Sequence, residues 1–278
     1  MKQIDGLHNS SHLIVLNNSK GRIYLMKFVV LAAGEGTRLR PYTKNCPKCM
    51  VPFQNRKIID WILQAALSFQ IKKVIVVSGY HFEVLQTYLL ATYSDKNITL
   101  YKNINFSSSN MVETFFCAKQ EFDDDLIVSY GDIIYKKEVL KQLLAAEGEI
   151  CVVIDKKWRE LWELRMEDPL QDAETLKLDE NGYIVEIGKK PSGYEEIQGQ
   201  YIGLIKISKS AVQKVIRHYD CLDRKKLYDG QSFSKMYMTS FIQSLIDSGM
   251  RVSAIAIEGG WAEIDTVDDL MRLKNFSF

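Results

Sequence analysis

At 278 residues the chain is long enough for one large domain or two small ones, with room for a substantial core. Its 36 Lys and Arg against 35 Asp and Glu leave a net charge of +1. That balance gives no general pull toward nucleic acid or a membrane surface, so any cationic site must be local. No apolar stretch approaches the roughly 18 residues of a membrane span, and no membrane insertion is expected.

Residues 1–25 lack the continuous apolar segment of a secretory signal, since "HLIVL" is short and "NNSKGR" follows it. They read as an N-terminal extension (an appendage, a short extra strand or upstream sequence from a misplaced start) with no function assigned. "KFVVLAA" is the first predicted strand. "KIIDWILQAALSFQ" is a predicted helix, with Ile58, Ile59, Ile62, Ala65, Ala66 and Phe69 on one face. "KKVIVVSG" is a second apolar strand, followed by a helix from about His81 to Thr92. "NITLYK", "MVETFFCAKQEF" and "DLIVSYGD" repeat strand, helix and strand, and "KEVLKQLLAAEG" adds a helix. Strands apolar throughout and separated by helices imply an α/β fold: a Rossmann-like, mostly parallel sheet with helices on both faces.

From "EICVVIDKKW" onward the rhythm changes. "ETLKLDENGYIVEIG" predicts a hairpin around Asn181 and Gly182, and "QYIGLIKIS" a further strand. Two helices, the strand "RVSAIAIEG" and a final helix from about Val267 complete the chain. No linker or repeat interrupts residues 26–278, which read as a single domain whose second half returns to the same sheet. Five scattered cysteines, at 46, 49, 117, 151 and 221, point to a reducing compartment and hence a cytoplasmic protein. Cys46 and Cys49 form C-P-K-C, but no second pair or histidine cluster completes a zinc site.

Ligands of such sheets bind beyond the carboxyl ends of the strands. Gly34, Ser78 with Gly79, and Asp132 all fall there. The stretch "LAAGEGTRLRP", residues 31–41, is glycine-rich and basic, as a phosphate cradle would be. It lacks the G-x-x-x-x-G-K-[ST] of a Walker loop. The third glycine of a dinucleotide fingerprint is replaced by Leu39, and Pro41 and Pro47 stand where that fingerprint's helix would run. A long irregular loop remains, whose Thr37, Arg38, Arg40 and Lys48 can reach anionic oxygens.

That loop, G-x-G-T-R-L-x-P with a following Pro-Lys, resembles the signature of the nucleotidyltransferases that join a nucleoside triphosphate to a phosphorylated small molecule. The resemblance covers about residues 26–275. "SSSNMVETFFCAK", "VVIDKKWRELW", "EIGKKP", "QYIGL" and "GGWAEIDTVDDL" are most similar to the cytidylyltransferase branch. It implies the nucleotide-diphospho-sugar transferase fold, with a nucleotide-binding half of about 26–135 and an acceptor-binding half of about 136–278. The implied enzyme transfers CMP from CTP to a small phosphorylated or phosphonate acceptor, such as phosphoglutamine or phosphocholine, in capsule or cell-surface polysaccharide biosynthesis. A sugar-1-phosphate uridylyl- or thymidylyltransferase and a non-catalytic nucleotide-binding regulator are the alternatives. Oligomeric state is not legible.

A phosphate monoester is already largely dianionic near neutral pH, so the attacking group needs no general base. Bringing two polyanions together is then the main obstacle, answered by positioning and charge neutralisation. This agrees with a histidine supply that offers no triad. Hard oxygen ligands suit Mg²⁺, and the resemblance puts its ligands at Asp132 and Asp265, with Glu263 a further candidate. Asp132 also suits a Gly-Asp turn, and Thr266-x-x-Asp269 is close to a capping box. Arg38 and Lys48 are the candidate catalytic cations. Leu31, Ala32, Ala33, Gly34, Gly36 and Thr37 join them at the nucleotide, with Ser78, Gly79 and Tyr80 where the family reads the base. Asn110, Trp158, Lys190 and Gly203 are assigned to the acceptor; Asn110 also suits a helix cap. Trp158, Trp162 and Trp261 could form an aromatic box, or Trp158 and Trp162 could share one buried helix face. Glu160, Arg165, Asp172 and Glu174 crowd the same region and would suit a zwitterionic head group.

Overall fold

The computed structural model describes residues 16–18 and 21–276. Strands are β1 (Leu16–Asn18), β2 (Gly21–Ala32), β3 (Pro52–Phe53), β4 (Arg56–Lys57), β5 (Ile71–Ser78), β6 (Ile98–Lys102) and β7 (Asp125–Tyr130). They continue with β8 (Ile133–Tyr135), β9 (Ile150–Asp155), β10 (Leu176–Leu178), β11 (Ile184–Ile187), β12 (Gln200–Ile207), β13 (Val252–Ile257) and β14 (Trp261–Glu263). Helices are α1 (Ile58–Ser68), α2 (Phe82–Thr92), α3 (Met111–Phe116), α4 (Lys137–Ala145), α5 (Trp158–Arg165), α6 (Lys209–Cys221), α7 (Met238–Asp247) and α8 (Val267–Arg272).

The main sheet has the order β13-β9-β12-β7-β2-β5-β6, with β1 paired to β2. Strand β2 runs parallel to β5 and β7, β5 parallel to β6, and β9 parallel to β13. Only β12 opposes both of its neighbours in this series, which makes the sheet mixed. The alternation of side chains explains why helices cover both faces. Phe28 and Val30 of β2, with Val74 and Val76 of β5, enter one core; Val29, Leu31, Ile75 and Val77 enter the other. Helix α1 sends Ile58, Ile59, Ile62 and Leu63 into the first core, each burial contributing about 1.5–3 kcal/mol. Helices α6 and α7 cover the second.

Strand β2 begins at Gly21, so the segment expected to be an extension already contains β1 and the first residues of β2. The remainder of that expected extension, residues 1–15 and 19–20, lies outside the described residues. The hairpin around Asn181 and Gly182 forms as β10 against β11.

The chain leaves β2 toward β5 and β6 on one side and returns to β7 on the other, so the connections diverge between β2 and β7. A crevice opens at the carboxyl ends of such a strand pair. Gly131 closes its floor: a Cβ there would lie 2.6 Å from the Leu31 carbonyl oxygen, so only glycine lets β7 end so near β2.

Candidate active site

Two residues 133 positions apart meet because a small ladder brings them together. Strand β14 pairs antiparallel with β8 in the register Trp261–Tyr135, Ala262–Ile134 and Glu263–Ile133. The ladder runs one step further as the Ile264 amide donates to the Asp132 carbonyl at 2.9 Å. Asp132 thus precedes one strand of the pair and Asp265 follows the other, so both carboxylates stand at the same end.

The loop after β2 brings a lysine between them. Gly36 adopts a left-handed conformation (φ 61°), and Thr37–Leu39 form a 3-10 turn that buries Leu39. The Thr43 hydroxyl donates to the Gly36 carbonyl at 2.8 Å, and a second 3-10 turn, Lys48–Met50, buries Cys49 and Met50. Anchored on both sides, the Lys48 ammonium donates to Asp132 Oδ2 at 2.6 Å and to Asp265 Oδ1. Burial alone would lower the Lys48 pKa; the carboxylates of Asp132 and Asp265, with Glu263 behind them, overcome burial and raise it. The exposed Arg38 guanidinium reaches the second oxygen of Asp265.

The crevice above this cluster is lined by Leu31–Gly34 after β2, by Tyr130–Asp132 after β7, and by Phe106, Asn110 and Thr114. A Cβ on Gly34 would meet nothing within 4 Å, so the loop backbone is open to a ligand. A second cavity adjoins it, sharing Met111 and Tyr130 with the first. Trp162, Trp261, Tyr201, Asp172, Glu174 and Glu263 line it.

Behind the cavity wall lies a buried charge network. Arg165 donates through Nη1 to Glu263 Oε2 at 2.8 Å and through Nε to Asp269 Oδ1 at 2.9 Å. Asp269 Oδ2 accepts the amides of Asp265 at 2.9 Å and Thr266 at 2.8 Å, while the Asp269 amide donates to the Thr266 hydroxyl at 3.1 Å. The capping box expected at Thr266-x-x-Asp269 therefore exists. Thr266 and Asp269 cap the helix reciprocally, which leaves the Asp265 carboxylate to face the cations.

Residues 27–161 match the profile of the family described as Nucleotidyl transferase. The chain is 46% identical over 251 residues to the CTP:phosphoglutamine cytidylyltransferase of Campylobacter jejuni subsp. jejuni serotype O:2, covering 88% of this chain and 98% of that protein. The chain belongs to the nucleotidyltransferase family. Among solved structures, it is similar to the inositol-1-phosphate CTP transferase from T. maritima (TM-score 0.71, 18% identity, 91% of this chain and 98% of that one). It also resembles the CTP:phosphocholine cytidylyltransferase from Streptococcus pneumoniae (TM-score 0.68, 20% identity, 90% and 98%). At such identities these two likenesses speak for the shared fold.

In this nucleotidyltransferase, Leu31, Ala32, Ala33, Gly34 and Lys48, assigned to the nucleotide, line the first crevice together with Asp132, assigned to the metal. Gly36, Thr37 and Arg38 stand in the loop beside it. Ser78, Gly79 and Tyr80 do not line it; a Cβ on Gly79 would lie 2.4 Å from Phe106, so that residue separates the turn from the crevice. Asn110 caps α3 by accepting the Met111 amide at 2.9 Å and lines the nucleotide crevice rather than the acceptor cavity. Gly203 lines the acceptor cavity.

Two acceptor assignments fall elsewhere. Trp158 is buried, lies edge-on to Trp162 at 5.7 Å and stacks on Tyr194, because α5 turns it into the core while Trp162 faces the cavity. Exposed Lys190 donates to the carbonyls of Leu170 at 2.5 Å and Gln171 at 2.7 Å, so it ties down the turn that leads into Asp172. Glu263 lines the acceptor cavity with Arg165 as its partner. Phe106, Thr114, Tyr201 and Thr239 line the two pockets without having been singled out. Thr114 and Tyr201 lie inside the segments "SSSNMVETFFCAK" and "QYIGL" that carry the family resemblance, whereas Phe106 offered no local signal at all.

The donor set suits a hard divalent cation. Two carboxylates converge on one positive charge, and Asp132 Oδ1 is buried with no hydrogen-bond partner among the described residues. A site with one or two carboxylates, completed by substrate phosphates and water, matches the preferences of Mg²⁺.

Proposed function

We propose that this nucleotidyltransferase transfers CMP from CTP to a small phosphorylated acceptor and releases pyrophosphate. The observation that carries the reading is a crevice lined by Lys48 and Asp132, of the Lys48–Asp132–Asp265 cluster, that adjoins a second cavity through Met111 and Tyr130. The 46% identity to a CTP:phosphoglutamine cytidylyltransferase across 98% of that protein supports CTP as the donor. Cytoplasmic action in capsule or cell-surface polysaccharide biosynthesis belongs to the same proposal.

An acceptor phosphate oxygen forms a bond to the α-phosphorus of CTP, and the bridging oxygen on the far side leaves with pyrophosphate. No proton need be abstracted. Lys48 and Arg38, both already turned toward the carboxylate pair, are the residues that neutralise charge on the phosphates as the bond forms. Open backbone at Gly34 lets the triphosphate approach closely. Asp132 and Asp265 would hold Mg²⁺, which supplies further charge neutralisation on the phosphoryl oxygens.

The test is pyrophosphate release with CTP, UTP and dTTP, each offered with phosphoglutamine, phosphocholine, aminoethylphosphonate and hexose 1-phosphates. CMP transfer to a phosphorylated amino compound is the expected result. Turnover confined to UTP or dTTP with a hexose phosphate would replace this reading by a sugar nucleotidyltransferase.

A further inference from the structure

The acceptor cavity contains a charge that nothing among the described residues balances. No lysine or arginine is among its lining residues, while three carboxylates are. Their circumstances differ. Glu263 is paired with Arg165 at 2.8 Å, and Asp172, at the exposed rim, accepts the Trp162 indole N–H at 3.0 Å. Half-buried Glu174 has the Thr239 hydroxyl at 3.4 Å and no ion-pair partner among the described residues.

Glu174 is held in place rather than free to turn to solvent. Its amide donates to Gln200 Oε1 at 3.0 Å, and Gln200 Nε2 donates back to its carbonyl at 2.5 Å. The next residue is fixed as well, its amide donating to the Lys189 carbonyl at 2.8 Å and its own carbonyl accepting the Gly188 amide at 3.1 Å. Burial pushes the Glu174 carboxyl up to about 7; the Thr239 hydroxyl opposes this, and the carboxylates of Asp172 and Asp229 add to it. On the same wall the buried Tyr201 hydroxyl finds no hydrogen-bond partner of good geometry among the described residues. A fixed, unpaired carboxylate in a partly dry pocket is costly for the empty protein and favourable for a ligand that brings the missing positive charge. Aromatic walls add to the attraction for a cation, and N–H bonds on that cation give charge-assisted hydrogen bonds that a quaternary nitrogen cannot make.

Resting on the cytidylyltransferase reading above, we propose that Glu174 selects acceptors whose cationic nitrogen carries N–H bonds. Asp172 assists at the rim, and Trp162 and Trp261 enclose the carbon frame. The test compares ethanolamine phosphate (primary ammonium), choline phosphate (quaternary) and ethyl phosphate (no cation) with wild type, Glu174→Gln and Asp172→Asn. In CTP-dependent turnover, wild type should prefer ethanolamine phosphate over both other compounds. Glu174→Gln should reduce that preference in kcat/KM by about ten-fold or more, the worth of one charge-assisted hydrogen bond, with the KM for CTP unchanged. Asp172→Asn should reduce it less.

Calorimetric titration of the same compounds, without nucleotide, reads the same preference independently of turnover. A Glu174→Gln enzyme that keeps the wild-type preference, a wild type that favours choline or ethyl phosphate, or a wild type that binds none of the three overturns the proposal. Absence of CMP transfer to any acceptor, with the calorimetric contrast intact, would remove the cytidylyltransferase reading and leave the role of Glu174 standing.

Discussion

The two adjoining pockets handle charge in opposite ways. In the nucleotide crevice the strong charges are matched within the protein: Lys48 bridges Asp132 and Asp265, and Arg38 reaches Asp265. In the second cavity, Glu263 has Arg165, but the Glu174 carboxylate has only the Thr239 hydroxyl among the described residues. A paired cluster can be assembled before any ligand arrives, and on the proposed reading its partners would be exchanged for phosphates and a divalent cation. An unpaired carboxylate makes the empty pocket less stable and the filled one selective. On the proposed reading, one pocket serves the features that all nucleotidyl transfer shares, the other what distinguishes one acceptor from another.

That contrast can be broken most decisively at the carboxylate pair. Asp132→Asn or Asp265→Asn should lower kcat by about 10³-fold, the range lost when one key electrostatic group is removed. Circular dichroism should be unchanged and chelator should abolish wild-type turnover; near-native pyrophosphate release from the double variant would end the metal assignment. Arg165→Met strips the partner from two carboxylates, Glu263 and Asp269. It should destabilise the protein by about 3 kcal/mol or more in a denaturant titration. A variant as stable as wild type would mean that this network is not closed to water.

Glu174→Gln sharpens the comparison through pH. The folded Glu174 carboxyl lies at about 7 against an ordinary 4.5, so the native state holds this proton more tightly than the unfolded chain. Wild-type stability from this residue is therefore fully present below about pH 4.5 and is lost as pH rises through 7. The glutamine variant, which never ionises, should match wild type at pH 4.5 and exceed it at pH 8 by up to about 2 kcal/mol. Equal differences at both pH values would show that Glu174 is compensated in solution. The smallest effect is expected at Lys190, whose bonds to Leu170 and Gln171 steady the turn before Asp172. Lys190→Ala should raise the acceptor KM by up to about ten-fold, the worth of one or two net hydrogen bonds, without changing the KM for CTP. A change in the CTP KM instead would draw that lysine into the nucleotide crevice.

Most of the architecture was legible because it rests on short-range periodicity. The apolar runs at 71–78 and 125–130 and the helical face of Ile58, Ile59 and Ile62 announce a sheet covered on both sides. The glycines and prolines of residues 34–47 announce an irregular cradle rather than a helix. Asp132 and Asp265 were recognisable by their places at strand ends. The 3.6-residue period also put Trp158 and Trp162 on one helix face, yet it could not say that only Trp162 borders a cavity. The bonds of Lys190 were illegible for a related reason, since its partners are carbonyls 19 and 20 residues away.

The amino-acid order by itself determined the α/β layering and an irregular, glycine-rich basic loop, because each follows from residues close in the chain. Tertiary structure alone decided that Lys48 lies between the Asp132 and Asp265 carboxylates and that Glu174 has no cationic partner among the described residues. Whether a buried charge is paired depends on which distant segments pack around it, and no local pattern of residues encodes that.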